Sequence, residues 1–153
     1  LDGKYTSYFE NGQIEKEINF KDGKRDGKRT SYNEDGTIQK EENYKDGEQD
    51  GWKEYIYYEN GQIVVERNYK NDGLDGKVLD GKVTVFYETG QIRTEENFKD
   101  GKSVGKWTRY YENGQIEGEG NYKDGEYDGK WTFYYENGQI RIESNYKDGK
   151  LIK

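Results

Sequence analysis

Among its 153 residues the chain has no cysteine, proline, methionine, histidine or alanine. Without cysteine there is no disulfide framework, no thiol nucleophile and no thiolate metal site. Without histidine the most frequent general base and zinc ligand are missing. With no alanine and no apolar recurrence at 3.6 residues, helix is not expected anywhere. Aliphatic material is also scarce. Leu, Ile, Val and Phe together supply 25 residues, a level at which disorder would be the default expectation.

What is present argues for order instead. There are 16 Tyr and 3 Trp, and tyrosine can bury its ring while its hydroxyl stays wet. The net charge is only −7, from 32 acidic and 25 basic residues. Lys and Glu are interspersed, so nucleic acid is not an expected partner, because phosphate binding needs clustered basic charge. No apolar run approaches membrane-spanning length and no leader is visible. The sequence opens at Leu1, without Met and already inside a repeat, so it reads as a fragment or a processed form. The compartment stays open between cell surface and cytoplasm.

Self-similarity organises the whole chain. Aligned on the Asp-Gly that opens each unit, it divides into six repeats: 2–25, 26–49, 50–79, 80–103, 104–127 and 128–151. The third is longer, with additions near Trp52 and at Asn71-Asp72 and a duplicated segment from Leu74 to Val83. ENGQI recurs at 10–14, 59–63, 112–116 and 136–140, with EDGTI and ETGQI in the other two copies. Residues 1–153 thus read as one repeat domain.

Each repeat reads as a β-hairpin, since Asn-Gly between alternating runs signals a two-residue type I′ turn. That loop pairs Glu10 with Gln13, Phe9 with Ile14, Ser7 with Lys16 and Tyr5 with Ile18. It places Phe9, Ile14, Ile18 and Phe20 on a first face, and Thr6, Tyr8, Glu15, Glu17 and Asn19 on a second. Thr89-Gly90 breaks the pattern, because a β-branched residue is ill suited to positive φ; the fourth turn is expected to be strained or of another type. Stacking the units turns positions into columns, among them Ile14, Ile38, Ile63, Ile92, Ile116 and Ile140 on the first face. The predicted fold is all-β: an elongated, single-layer antiparallel sheet or open solenoid of about twelve strands, with the edges at residues 2–9 and near Arg141 to Lys147.

At YYENGQI…NYKDGK…DGKW the chain resembles the MORN-repeat superfamily, in particular the bacterial variant repeat of YwqK-family antitoxin-like proteins. The resemblance covers essentially all of 1–151. It implies side-by-side hairpins and a non-enzymatic module for protein contacts. The frequent eukaryotic unit is shorter and opens with Tyr-x-Gly, so its proposed lipid contacts do not carry over, and neither membrane nor lipid is an expected partner. A kinase activity attached to some bacterial relatives has no counterpart here: no phosphate-cradling loop and no catalytic Asp/Asn set is present.

Two candidate chemistries remain. Asp22 and Asp26, Asp46 and Asp50, and Asp124 and Asp128 recur four residues apart, and calcium takes clustered oxygen ligands in loops. Asp-Gly is also plain turn chemistry, and Lys21, Lys24, Lys45 and Lys123 among these acids would repel a cation; no metal or other cofactor is expected. The second candidate is aromatic. Trp107, Arg109, Tyr111, Trp131, Phe133 and Tyr135 make the densest cluster of the first face, where the second repeat has Arg29, Ser31 and Asn33. Such a patch suggests either a contact site or the sheet's own packing. The expected function is a bacterial repeat scaffold that binds another protein, antitoxin-like in the form the resemblance suggests. The alternative is a surface carbohydrate or cell-wall binding module using the aromatic face. End-to-end self-association through the open edges is a further expectation.

Overall fold

The computed structural model describes residues 2–71 and 76–152. Among them are fourteen strands and no helix. They are β1 (Gly3–Tyr8), β2 (Ile14–Lys21), β3 (Lys24–Tyr32), β4 (Ile38–Lys45), β5 (Glu48–Tyr57), β6 (Ile63–Asn71) and β7 (Lys77–Phe86). They continue with β8 (Ile92–Lys99), β9 (Lys102–Ser103), β10 (Gly105–Tyr110), β11 (Ile116–Lys123), β12 (Glu126–Tyr134), β13 (Ile140–Lys147) and β14 (Lys150–Ile152). The strands form one open antiparallel sheet in chain order, β1 to β8 followed by β10 to β14, with the short β9 beside β8. The count exceeds the expected twelve because the fifth opening strand is split around Val104 and because β14 begins a further strand beyond β13. That last strand corrects the edge expected near Arg141 to Lys147: Asn145, Tyr146 and Lys147 are paired with Ile152, Leu151 and Lys150.

Two compact units are distinguishable, one of residues Leu1–Ile56 with Asn68–Val78 and one of Tyr57–Arg67 with Leu79–Lys153. The additions expected at Asp72 and Leu74 in the third repeat fall outside the described residues.

The two-residue type I′ turns do not lie at Asn-Gly, as expected, but at the links between repeats. Asp22, Asp46, Asp100, Asp124 and Asp148 have φ near +50°, each followed by a glycine with positive φ. The Lys-Asp-Gly-Lys links between repeats are therefore the two-residue type I′ hairpins, with Lys21 paired to Lys24 directly across the turn. At the Asn-Gly sites only the glycine has positive φ. Gly12 N–H donates to Phe9 C=O at 2.9 Å and Phe9 N–H to Gln13 C=O at 2.8 Å, closing a three-residue loop of the turn-plus-left-handed-glycine kind. Asn11 sits at a position of negative φ and accepts from Gln13 N–H at 2.9 Å through its side chain. Thr89 occupies the same ordinary position, and its loop closes through the same two bonds, Gly90 to Tyr87 and Tyr87 to Gln91. The fourth turn is neither strained nor different.

A three-residue loop would slip the register by one, which would turn every later side chain to the opposite face. A β-bulge restores it. Tyr8 pairs with Ile14 and Ser7 with Lys16, leaving Glu15 as the extra residue; the same shift recurs at Tyr32, Phe86, Tyr110 and Tyr134. Beyond the bulge the expected pairs Ser7–Lys16 and Tyr5–Ile18 stand. Before it they do not: Phe9 does not face Ile14, nor Glu10 Gln13. The isoleucine column consequently belongs with the tyrosines of the second face. The bulge residue moves to the first, where Ser7 Oγ donates to Glu15 Oε2 at 2.8 Å.

The second face is a repeating polar ladder. Four glutamates of the column, Glu17, Glu41, Glu95 and Glu119, take a lysine from their own repeat and a tyrosine hydroxyl from the next. Glu17 holds Lys4 and Tyr32, Glu95 holds Lys82 and Tyr110, and Glu119 holds Lys106 and Tyr134. The Lys4 hydrogen bond keeps the Glu17 carboxyl below the usual carboxylate range. Burial, reinforced by Glu95, pushes the Tyr110 hydroxyl up. Thr30, Thr84, Thr108 and Thr132 are buried beneath these groups, where a short β-branched side chain fits the pleat between long neighbours.

Candidate functional site

The first face of β10 to β13 is built around two glycines. Gly118 and Gly120 stand on β11, paired with Arg109 and Trp107 of β10. On the other side Gly118 pairs with Phe133 of β12. A Cβ on Gly118 would lie 2.7 Å from the Phe133 ring, and one on Gly120 would fall inside the Trp131 indole. The missing side chains are the space into which the rings settle. Trp131 lies 5.2 Å from Trp107 and 6.4 Å from Phe133, centroid to centroid, with Tyr127 at 4.1 Å and Tyr122 edge-on at 5.2 Å. Its indole N–H donates to Asn121 C=O at 3.1 Å. These contacts leave Trp131 only 2 % exposed. Burial also raises the Tyr122 hydroxyl far above the usual tyrosine range, with Tyr127 adding to it.

The six residues singled out from the sequence therefore separate into three roles. Trp107, Trp131 and Phe133 pack against one another, with the buried Trp131 as the centre of packing. Arg109 lies beside them with its Nε 2.7 Å from a Glu117 carboxylate oxygen; the atom lies off the N–H axis, so the pair is a charge contact rather than a hydrogen bond. Tyr111 is a tie between repeats, its hydroxyl donating to Tyr134 C=O at 2.7 Å. Tyr87 and Tyr58 do the same to Tyr110 and Phe86. Tyr135, the last member of that series, is exposed.

Sequence reasoning missed Tyr127, Arg141 and Ile142. Tyr127 and Ile142 are exposed on the same face, Ile142 pairs with Phe133, and the Arg141 guanidinium lies 6.0 Å from the centre of the Phe133 ring. The signal was available in Gly118 and Gly120, which replace the Lys16 and Ile18 of the first repeat and imply large partners opposite. Arg141 could not be placed without the bulge.

The same face of the other unit carries a charged cluster beside a single stack of Trp52 on Tyr69. Glu42 is 3 % exposed, held by Arg29, by Lys40 at 2.8 Å and by Gln49 at 3.1 Å. Beside it an open hollow of about 400 Å³ is lined by Phe9, Lys16, Arg29, Ser31 and Asn33 among others. It lies where the second repeat lacks the aromatic residues of the later ones. The Asp-Gly acids do turn work: Asp26 and Asp80 carboxylates accept from the backbone N–H of Asp46 and Asp100 in the next link.

Comparison with curated proteins returns no match. A model of the MORN repeat variant matches six times, at residues 1–22, 25–46, 53–71, 79–100, 103–124 and 127–148. Each match takes in one hairpin of the sheet, and together they span most of the sequence. The chain belongs to the MORN repeat variant family.

Proposed function

We propose that the chain is a binding scaffold that holds a protein partner on the first face of β10 to β13. The family is one of non-catalytic repeats that act as interaction modules. The observation that carries the reading is the exposure of three apolar side chains, Tyr127, Tyr135 and Ile142, with Tyr127 packed on the buried Trp131. Rigid aromatic anchors beside an arginine are the composition of a contact surface, because they bury area at little cost in side-chain entropy. Capture of a toxin partner is the specific form suggested by the resemblance to antitoxin-like repeats. The test is a quantitative pull-down from the source organism with wild type, a Tyr127→Ser/Phe133→Ser variant and a second-face control, Tyr110→Phe. A partner retained by wild type and the control and lost by the double variant supports the reading. Equal capture by all three overturns it, provided circular dichroism shows each variant folded.

A further inference from the structure

We infer that the hollow on the first face of the second repeat binds a small hydroxylated carboxylate, a sugar acid by chemical class. Tyr58, Tyr87 and Tyr111 each donate a hydroxyl to the backbone carbonyl of the second-face aromatic residue one repeat on, at 2.7 to 2.9 Å. In the first repeat the same position is Phe9. Phenylalanine has no hydroxyl to give, so Tyr32 C=O lacks the donor that Phe86, Tyr110 and Tyr134 receive. Phe9 and Tyr32 both line the hollow. Asn33 stands where the second repeat would carry its own tie tyrosine, and its amide turns back to Thr37 Oγ1 at 2.9 Å. A short side chain thus occupies the place of a ring. The resulting space of about 400 Å³ lies within the roughly 300–1,000 Å³ of small-molecule sites.

The walls of this space hold donors that the sheet does not use. Arg29 Nε is buried and has no hydrogen-bond partner among the described residues. A buried N–H left in that state costs free energy until an acceptor reaches it. The Ser31 hydroxyl and the Gln39 side-chain amide, also in the lining, make no hydrogen bond to the described residues. The charge on the floor is unbalanced as well. Arg29 and Lys40 share one carboxylate, Glu42, which leaves one positive charge in excess. Lys16 at the wall stands 3.5 Å from Glu15, whose other oxygen takes the Ser7 hydroxyl. The remaining acid of the lining, Glu34, is exposed at the rim. A ligand carboxylate accepts from Arg29 Nε–H beside Lys16, where a charge-assisted bond is strongest. A ligand hydroxyl takes the place of the tie tyrosine on Tyr32 C=O, and the apolar side of the ligand rests on Phe9. All of these residues belong to one compact unit, and none belongs to the partner surface proposed above.

The repeats themselves supply a variant that closes the site without harming the sheet. Phe9→Tyr returns the tie hydroxyl to Tyr32 C=O, so its thermal midpoint is expected to rise while ligand binding falls. The probes for isothermal titration are glucuronate and galacturonate, with glucose and glutarate as partial ligands. The two sugar acids carry hydroxyls and a carboxylate, glucose carries only hydroxyls, and glutarate only carboxylates. At least one sugar acid is expected to bind about tenfold more tightly than either partial ligand. Phe9→Tyr and Arg29→Lys, which keeps the charge but loses Nε–H, are each expected to weaken it about tenfold. No saturable binding of either sugar acid up to about 10 mM overturns the proposal. Glutarate binding as tightly as the sugar acids also overturns it and points to an acidic peptide side chain instead. Equal binding of glucose, or a Phe9→Tyr variant that binds as wild type does, overturns it too.

Discussion

Trp131 lies directly over Gly120, with its indole N–H bonded to the carbonyl of the next residue, Asn121, at 3.1 Å. A sheet this poor in aliphatic residues has few places to put a large ring out of water, and this pair makes one. The stability of the last repeats should depend on it.

Trp131→Ala is expected to cost about 3–5 kcal/mol, the range for truncating a buried large aromatic. Gly120→Ala should cost about 1–3 kcal/mol by overpacking alone, although it adds a single methyl group. Denaturant unfolding of both variants checks this, and a Gly120→Ala midpoint equal to wild type would contradict the geometry.

The two turn types predict opposite sensitivities. Asp124, at φ 53°, should lose about 1–2 kcal/mol on substitution by Val, which tolerates the left-handed region poorly. Asn113 has no such backbone demand, and Asn113→Ala should lose only its side-chain bond to Gln115 N–H, about 0.5–1.5 kcal/mol. Thr89→Asn should gain a similar small amount by supplying that bond to the fourth loop. Thermal midpoints of the three variants decide between this assignment and type I′ turns at Asn-Gly.

The tyrosine ties between repeats should read out as a graded series. Tyr111→Phe leaves the Tyr134 carbonyl without its donor at 2.7 Å, which should cost about 1 kcal/mol. Tyr135→Phe at the end of the series should leave stability unchanged. Equal losses would mean that the hydroxyls contribute through something other than this bond.

The glutamate ladder gives a pH window with both limits set. Hydrogen bonds from lysine hold Glu17 and Glu95 below the ordinary carboxylate range. Their contribution is therefore full above about pH 4.3 and is lost as pH falls through the depressed folded values. Tyr32 and Tyr110 are raised by burial, and Tyr134 chiefly by its bond to Glu119. Their contribution is full below about pH 10 and is lost as pH rises through the raised folded values. Stability measured across pH should thus be flat from about pH 5 to 9 and fall at both ends. Glu95→Gln should flatten part of the acid limb.

Much of this was readable from the residues. The six hairpins, the antiparallel order, the Ser7–Lys16 and Tyr5–Ile18 pairs and the absence of helix all follow from period and turn composition. The candidate patch was readable as a cluster but not as a site. Nothing in the spacing of Trp107, Trp131 and Phe133 says that one ring is sealed by Tyr122 and Tyr127 while Tyr135 stands in solvent. Residues near the loops were assigned to the wrong face because Asn-Gly serves both two-residue and three-residue hairpins. Only the bulge at Glu15 and its counterparts distinguishes them.

The sequence by itself determined the repeat, the hairpin and the strand order. These depend on alternation and on Asp-Gly and Asn-Gly turns, which are local interactions between residues close along the chain. Tertiary structure decided which column faces which way and which aromatic ring becomes core. Both depend on the extra residue of a bulge and on the empty space above Gly118 and Gly120, quantities that exist only once neighbouring strands lie side by side.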